Sequence, residues 1–242
     1  MGKVFISQEY KVWHKMQFPK FKVGPNLIKF AYRFLDIEAS GEAGPPDGRI
    51  IEYSFVLGKL VSLTKGRLLD VGCVARLNPV PATLASIGWE VYGIDLRQFK
   101  FTFPNFHFVL GDITKTDFPD SFFDAVSAVS TLEHMGLKGR YGITNYDPEG
   151  DAKAVKEIRR ILRRGGRLLV TLPFGEEKRQ ITLSRVYNRD NLKELFSDWE
   201  IKDKIFYSQD SRGFWVPVVE EEAQGMRENK EAIALLELAL PK

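Results

Sequence analysis

From residue 67 onward, short apolar runs of strand length alternate with stretches whose apolar residues recur every three to four positions. The runs at 67–71, 90–94, 106–110 and 123–129 read as strands, each meeting an acid, a glycine or a hydroxyl residue at its end. A helical stretch at 80–87 is closed by Gly88. A second, at 151–163, is stopped by Gly165 and Gly166, and a fifth strand at 167–172 ends in Pro173. Strands alternating with helical segments are the sequence form of βαβ units and a parallel sheet. Upstream, helical spacing predicts one helix between Pro25 and Glu38 and another over 50–62. Downstream, 189–196 reads as a helix and 199–207 as a strand. The apolar run 232–240 has strand length, although its leucines suit a helix equally well; as a strand it would pair antiparallel with 199–207 at one edge of the sheet.

A Gly/Pro-rich stretch from Ser40 to Gly48 has the composition of a linker. It divides the chain into an N-terminal helical cap or extension, 1–48, and a ligand-binding α/β domain, 49–242. Of the 242 residues, 44% are hydrophobic and 28% charged, enough to build an ordinary core without disulfides. The single cysteine, Cys73, excludes an internal disulfide framework and a multi-cysteine zinc site, and no metal site is expected. A net charge of +3 is no nucleic-acid footprint. The basic residues from Lys11 to Lys29 are interleaved with aromatics that could stack on RNA, but a solvated helical cap accounts for them better. The start has neither a long apolar run nor a small-residue cleavage site, and no stretch has membrane-spanning length, so a soluble, cytoplasmic protein is expected.

Ligands on open α/β sheets bind beyond the carboxyl ends of the strands. Here those ends carry Asp70-Val71-Gly72-Cys73, then Asp95-Leu96, then Asp112-Ile113, then Ser130 through His134, then Pro173-Phe174-Gly175. Turn and cap preferences explain any one of the three acids. Three at successive strand ends suggest a nucleoside. Asp95 follows Gly72 by the roughly 20 residues that place an acid on ribose hydroxyls. Asp112 lies where an adenine amine would fall. Gly72 lets the backbone approach the ligand, and Asp70 either orients that loop or meets an ammonium group through water. Cys73, Leu96, Ile113 and Ser130 complete the candidate cofactor-binding set.

The runs LLDVGC at 68–73, VYGID at 91–95, GDI at 111–113 and GGRLLVTLPFG at 165–175 resemble class I S-adenosylmethionine-dependent methyltransferases. The chain is similar to the type 11-like members, and more so to a poorly characterised subgroup with EHxGLxRYG, DPxGD and WVPV segments, which read here 133–142, 147–151 and 215–218. The resemblance implies an α/β, doubly wound, Rossmann-like sheet of seven strands, mainly parallel with an antiparallel edge strand. It also implies S-adenosyl-L-methionine as cofactor. It names no acceptor. The sequence departs from the family where glycines usually follow in the first loop, at Val74 and Arg76.

The departure keeps a second reading open: a methyltransferase-fold binding protein with a degenerate pocket. A nicotinamide oxidoreductase would need G-x-G-x-x-G at the first turn, but after Gly72 the next glycine is Gly88. Ser130-Thr131-Leu132-Glu133 is not the Asn/Asp-Pro-Pro-aromatic turn of DNA adenine methylation, and Cys73 lies in the cofactor loop rather than at a pyrimidine nucleophile position. The expected acceptor is therefore a polar small molecule or a sugar or glycan with a hydroxyl or carboxyl group; an RNA or protein acceptor is the alternative, and a homodimer is compatible with either. Arg140, Tyr141, Arg185 and Trp215 would suit such an acceptor. For hydroxyl chemistry His134 is the candidate base, because an imidazole titrates near neutral pH. Glu133 is placed to hold it. Asp147, and after it Asp151, are the next candidates, on the long loop that follows.

Overall fold

The computed structural model describes residues 47–75, 78–139, 141, 143–176, 178–179, 184–226 and 232–241. The chain divides into two units, Met1–Gly44 and Pro45–Lys242, and all the described residues lie in the second. The helix expected between Pro25 and Glu38, nearly all of the 1–48 cap, Arg76 and Arg140 lie outside the described residues.

The elements are α1 (Arg49–Leu60), β1 (Arg67–Val71), α2 (Val80–Ser86), β2 (Glu90–Asp95), β3 (Phe106–Leu110), β4 (Phe123–Val129), a short 3-10 turn (Leu132–His134), α3 (Gly150–Ile161), β5 (Leu162–Phe174), β6 (Lys178–Arg179), β7 (Arg185–Val186), α4 (Arg189–Leu195), β8 (Glu200–Gln209), β9 (Trp215–Val218), α5 (Glu220–Gln224) and β10 (Ala232–Ala239). Eight strands form one sheet in the order β3-β2-β1-β4-β5-β10-β8-β9. The first five are parallel neighbours; β10 runs antiparallel to both β5 and β8, and β9 antiparallel to β8. Strand order reverses between β1 and β4, which opens a crevice beyond their carboxyl ends.

Two apolar layers hold the sheet. On one face Tyr53, Val56 and Leu60 of α1 and Val80 and Leu84 of α2 pack with Leu68, Val91, Ala125 and Leu169. On the other, Ala154, Val155, Ile158 and Ile161 of α3 pack with Leu69, Val126, Leu168 and Val170. Central strands buried on both faces read as continuous apolar runs, as those of β1 and β4 do.

Three features differ from the sequence reading. The sheet has an eighth strand, β9, which holds Pro217; a proline without an N–H is tolerated on an edge strand. The last strand in sequence, β10, lies inside the sheet, and its neighbours β5 and β8 decide the helix–strand ambiguity of its leucines. Helix α3 ends at Ile161, and β5 begins at once with Leu162. Gly165 and Gly166 therefore belong to the strand: Gly165 has φ +71°, its N–H donates to Leu240 O at 3.0 Å, and a Cβ on Gly166 would sit 2.7 Å from Arg163 O. The β2–β3 and β3–β4 connections, 96–105 and 111–122, contain no helix, and the sequence pattern places none there.

Candidate functional site

The tip of β1 is organised around Asp70, which is buried. Ser127 Oγ donates to its Oδ1 at 2.6 Å and Asn78 Nδ2 to its Oδ2 at 2.7 Å. Asn78 also donates to Cys73 O at 3.4 Å and accepts from Val80 N at 3.0 Å, so Asp70 shapes the loop from Gly72 to the start of α2. Gly72, at φ +73°, is required: a Cβ there would lie 2.6 Å from Thr131 Cγ2. The Cys73 thiol is buried, and burial pushes its pKa up.

Burial also raises the Asp70 pKa to about 6, against the opposing hydrogen bonds from Ser127 and Asn78. The folded-state pKa lies above the ordinary value of 3.8, so between about pH 4 and 6 the folded protein holds a proton that the unfolded chain has lost. Stability from this group is thus greatest at the acid side of the window and falls as pH rises, by up to roughly 3 kcal/mol at full ionisation. Asp70→Asn should abolish that dependence. Urea unfolding of both proteins at about pH 4 and pH 7 measures it; a constant gap between them would mean that the carboxyl stays ionised in the fold.

At the tip of β2, Asp95 is also buried. Its Oδ1 accepts from Arg97 N and Arg97 Nε, and its Oδ2 from Val74 N and Arg97 Nη2, all at 2.9 Å. Leu96 beside it is exposed. Gly111 N donates to Asp95 O at 3.0 Å, which brings the β3 tip alongside. There Asp112 is exposed, its Oδ1 accepts from Thr114 N at 2.8 Å, and Ile113 is buried.

At the tips of β4 and β5 lies a polar network that the sequence reading missed. Ser130 has φ +40°, a left-handed conformation unusual for a residue other than glycine. Its N–H donates to Thr171 Oγ1 at 2.9 Å. Thr171 Oγ1 donates to Glu52 Oε1 at 2.6 Å, and Ser130 Oγ donates to the same carboxylate oxygen. Arg49 Nη1 lies 3.6 Å from Glu52 Oε2 and donates to Val129 O at 3.1 Å. Glu52 and Thr171 are buried. The available signal was an acid on the buried stripe of α1, between Gly48 and the core residues Tyr53, Val56 and Leu60.

The segment after β4 carries the candidate catalytic residues. Glu133 is buried, and its Oε1 stands 3.6 Å from His134 Nε2. The His134 side chain is only 12% exposed, and its ring meets that of Tyr141 edge-on at 6.0 Å. The Tyr141 ring in turn lies 4.5 Å from the Arg97 guanidinium, which links His134 to Asp95 through two side chains. Asp147 sits at the far end of the loop. Lys153 Nζ donates to it at 2.6 Å and holds its carboxyl below the usual carboxylate range. Asp147 N donates to Gly136 O at 2.8 Å, so the two ends of the loop meet. Arg185 clamps that junction: it donates to Met135 O, Asp147 O and Pro148 O, and its Nε is 3.6 Å from Asp151 Oδ2. Asp151 also accepts from Tyr187 Oη at 2.9 Å. Arg185 is buried and holds the loop junction.

The neighbouring strand ends thus carry Asp70, Gly72 and Cys73 on β1, Asp95 and Leu96 on β2, Asp112 and Ile113 on β3 and Ser130 on β4, with Glu133 and His134 just after β4, while Asp147 belongs to the loop junction. Among the described residues, no cluster of His, Cys, Asp and Glu is arranged to hold a metal ion, and no helix is long and apolar enough to cross a membrane.

Residues 98–234 match the model of a family described as Caenorhabditis protein of unknown function, DUF268. Sterol 24-C-methyltransferase ERG6B of Gibberella zeae is 27% identical over 174 residues, 66% of this chain and 40% of that protein, so the match spans less than half of that relative. Among solved structures, N-methyltransferase NodS of Bradyrhizobium japonicum WM9, in complex with S-adenosylhomocysteine, aligns with a TM-score of 0.55 at 14% identity, over 87% of this chain and 98% of that one. The 1,6-didemethyltoxoflavin-N1-methyltransferase of Burkholderia thailandensis, with its namesake compound and S-adenosylhomocysteine bound, aligns at 0.53 and 14% identity over 99% and 93%. These likenesses establish the class I methyltransferase fold.

Proposed function

The chain belongs to the family described as Caenorhabditis protein of unknown function, DUF268, and on that premise we propose that it is an S-adenosylmethionine-dependent methyltransferase. Its acceptor in this reading is a polar small molecule or glycan bearing a hydroxyl or carboxyl group. The observation that carries it is the convergence of Asp95, Asp112 and the Gly72 turn on the crevice where strand order reverses.

The donor set fits a nucleoside sulfonium. Asp95 would accept from ribose hydroxyls and Asp112 from the adenine amine, and the backbone at Gly72 and Ser130 would hold the methionine part. Cys73, Leu96 and Ile113 supply the walls. The bound cofactor supplies a methyl group already activated by positive sulfur. The protein's part is alignment, and removal of a proton when the acceptor is a hydroxyl. His134 takes that proton or clamps the acceptor, Glu133 orients the imidazole, and Asp147 secures the loop that follows them.

Calorimetric titration of the intact protein with S-adenosylmethionine and S-adenosylhomocysteine tests the reading. Asp95→Ala should weaken binding by about 1.5–3 kcal/mol through lost charge-assisted hydrogen bonds. No binding at millimolar ligand would overturn the proposal. It would favour instead a methyltransferase-fold binding protein, a reading that the Arg97 guanidinium on Asp95 makes concrete.

A further inference from the structure

Arg97 is a charged side chain beside the strand tips to which the reading above gives no task. A carboxylate offers about four lone-pair sites. On Asp95 all four carry protein donors: the amides of Val74 and Arg97, and Nε and Nη2 of the Arg97 guanidinium, each at 2.9 Å. Two ribose hydroxyls need two of those sites. The amides belong to the backbone of the strand-end turns and leave only if the turns unravel. The guanidinium rides on a side chain that is 40% exposed and can swing away. It also lies 4.5 Å from the Tyr141 ring, within cation–π range, and that ring meets His134 edge-on at 6.0 Å.

We propose that Arg97 is an exchange residue: the ribose of the ligand takes over the two positions that the guanidinium holds on Asp95, and the displaced guanidinium gives up its stacking on Tyr141. The inference rests on the nucleoside reading of the crevice and adds to it a physical link between the cofactor site and the His134 side of the pocket. Filling one then reorganises the other, which favours an order of binding with cofactor before acceptor.

Arg97→Ala removes the competitor for Asp95. It should bind S-adenosylhomocysteine and adenosine about 5-fold more tightly than the unmodified protein, the scale of a partly exposed ion pair, and bind adenine, which has no ribose, with unchanged affinity. Arg97→Lys keeps the charge but loses the two-pronged geometry, and should fall between the two. Limited trypsin digestion reads the second half of the proposal. S-adenosylhomocysteine should speed cleavage after the exposed Lys138 in the unmodified protein, whereas Arg97→Ala should be cut at the faster rate with or without it. Equal or weaker binding of S-adenosylhomocysteine by both variants, or cleavage indifferent to ligand, would overturn the exchange while leaving the cofactor reading intact. Failure of the unmodified protein to bind the ligand at all would overturn both.

Discussion

Glu52→Ala is expected to cost about 3–5 kcal/mol of stability, the range seen when one partner is removed from a buried charged network. Glu52 Oε1 accepts from Thr171 and Ser130, and its other oxygen faces Arg49. Alanine leaves the Thr171 and Ser130 hydroxyls without their acceptor, takes the ion-pair partner from a part-exposed Arg49 that keeps its bond to Val129 O, and opens a cavity beneath β4 and β5. A partial offset comes from Ser130, whose left-handed backbone carries strain of order 1–3 kcal/mol that it could then release. Glu52→Gln keeps an oxygen for the hydroxyls and should cost only about 1–2 kcal/mol. In a thermal melt the alanine variant should fall by roughly 6–20 °C, given about 2–4 °C per kcal/mol for a domain of this size. A loss below about 1 kcal/mol would mean that the network does not organise the strand ends. Ser130 sits at the proposed methionine end of the cofactor, so the alanine variant should also bind S-adenosylhomocysteine more weakly, with Glu52→Gln restoring most of the affinity.

That network shows where the sequence could be read and where it could not. The central strands β1 and β4 were legible because a strand buried in a parallel sheet is a near-continuous apolar run, and the edge strand β3 because its short apolar run has strand length; the polar residues at the strand tips mark the end that faces the ligand. Asp70, Asp95 and Asp112 follow directly from that rule. The rule says nothing of which donors each acid finds. Arg97 is two residues beyond Asp95, and only the turn geometry shows the guanidinium folding back onto it. Glu52 comes from a helix that precedes the first strand and reaches the tips of the fourth and fifth, a contact between residues 119 positions apart in the Thr171 case. Gly165 and Gly166 were legible as chain breakers but not as what they are, a bend that lets β5 reach Leu240. The leucines of β10 were ambiguous because a strand buried on both faces and a buried helix share one composition; its partners β5 and β8 lie more than twenty residues away in sequence. Arg185 was legible as a cation near the site, but its burial against three carbonyls is a property of the folded loop.

His134→Ala carries the other large expected effect, about 10²–10⁴-fold in turnover if the imidazole removes the acceptor's proton. The geometry suits that role: a largely buried ring just after β4, with a buried carboxylate 3.6 Å from Nε2 and the Tyr141 ring edge-on at 6.0 Å. The measurement is labelled methyl transfer onto whichever sugar or small acid a screen identifies, with cofactor affinity followed in parallel. A base gives a fall in kcat while S-adenosylhomocysteine binds as before. A clamp gives a rise in KM with kcat nearly intact. A structural cap gives a lower melting temperature, with activity tracking the folded fraction. The pH profile separates the first two again: kcat/KM of the unmodified enzyme should climb on a limb that His134→Ala lacks, since that limb reports an essential base in the free enzyme. Glu133→Gln sharpens the assignment. If Glu133 stabilises the imidazolium as well as orienting the ring, the amide should move the limb to lower pH, because the neutral side chain no longer favours the protonated ring. A His134→Ala enzyme with full turnover and an unaltered profile would remove the imidazole from the reaction. Asp147 would then be the next carboxylate to test, through Asp147→Asn, with Lys153→Met as the control for its ion pair.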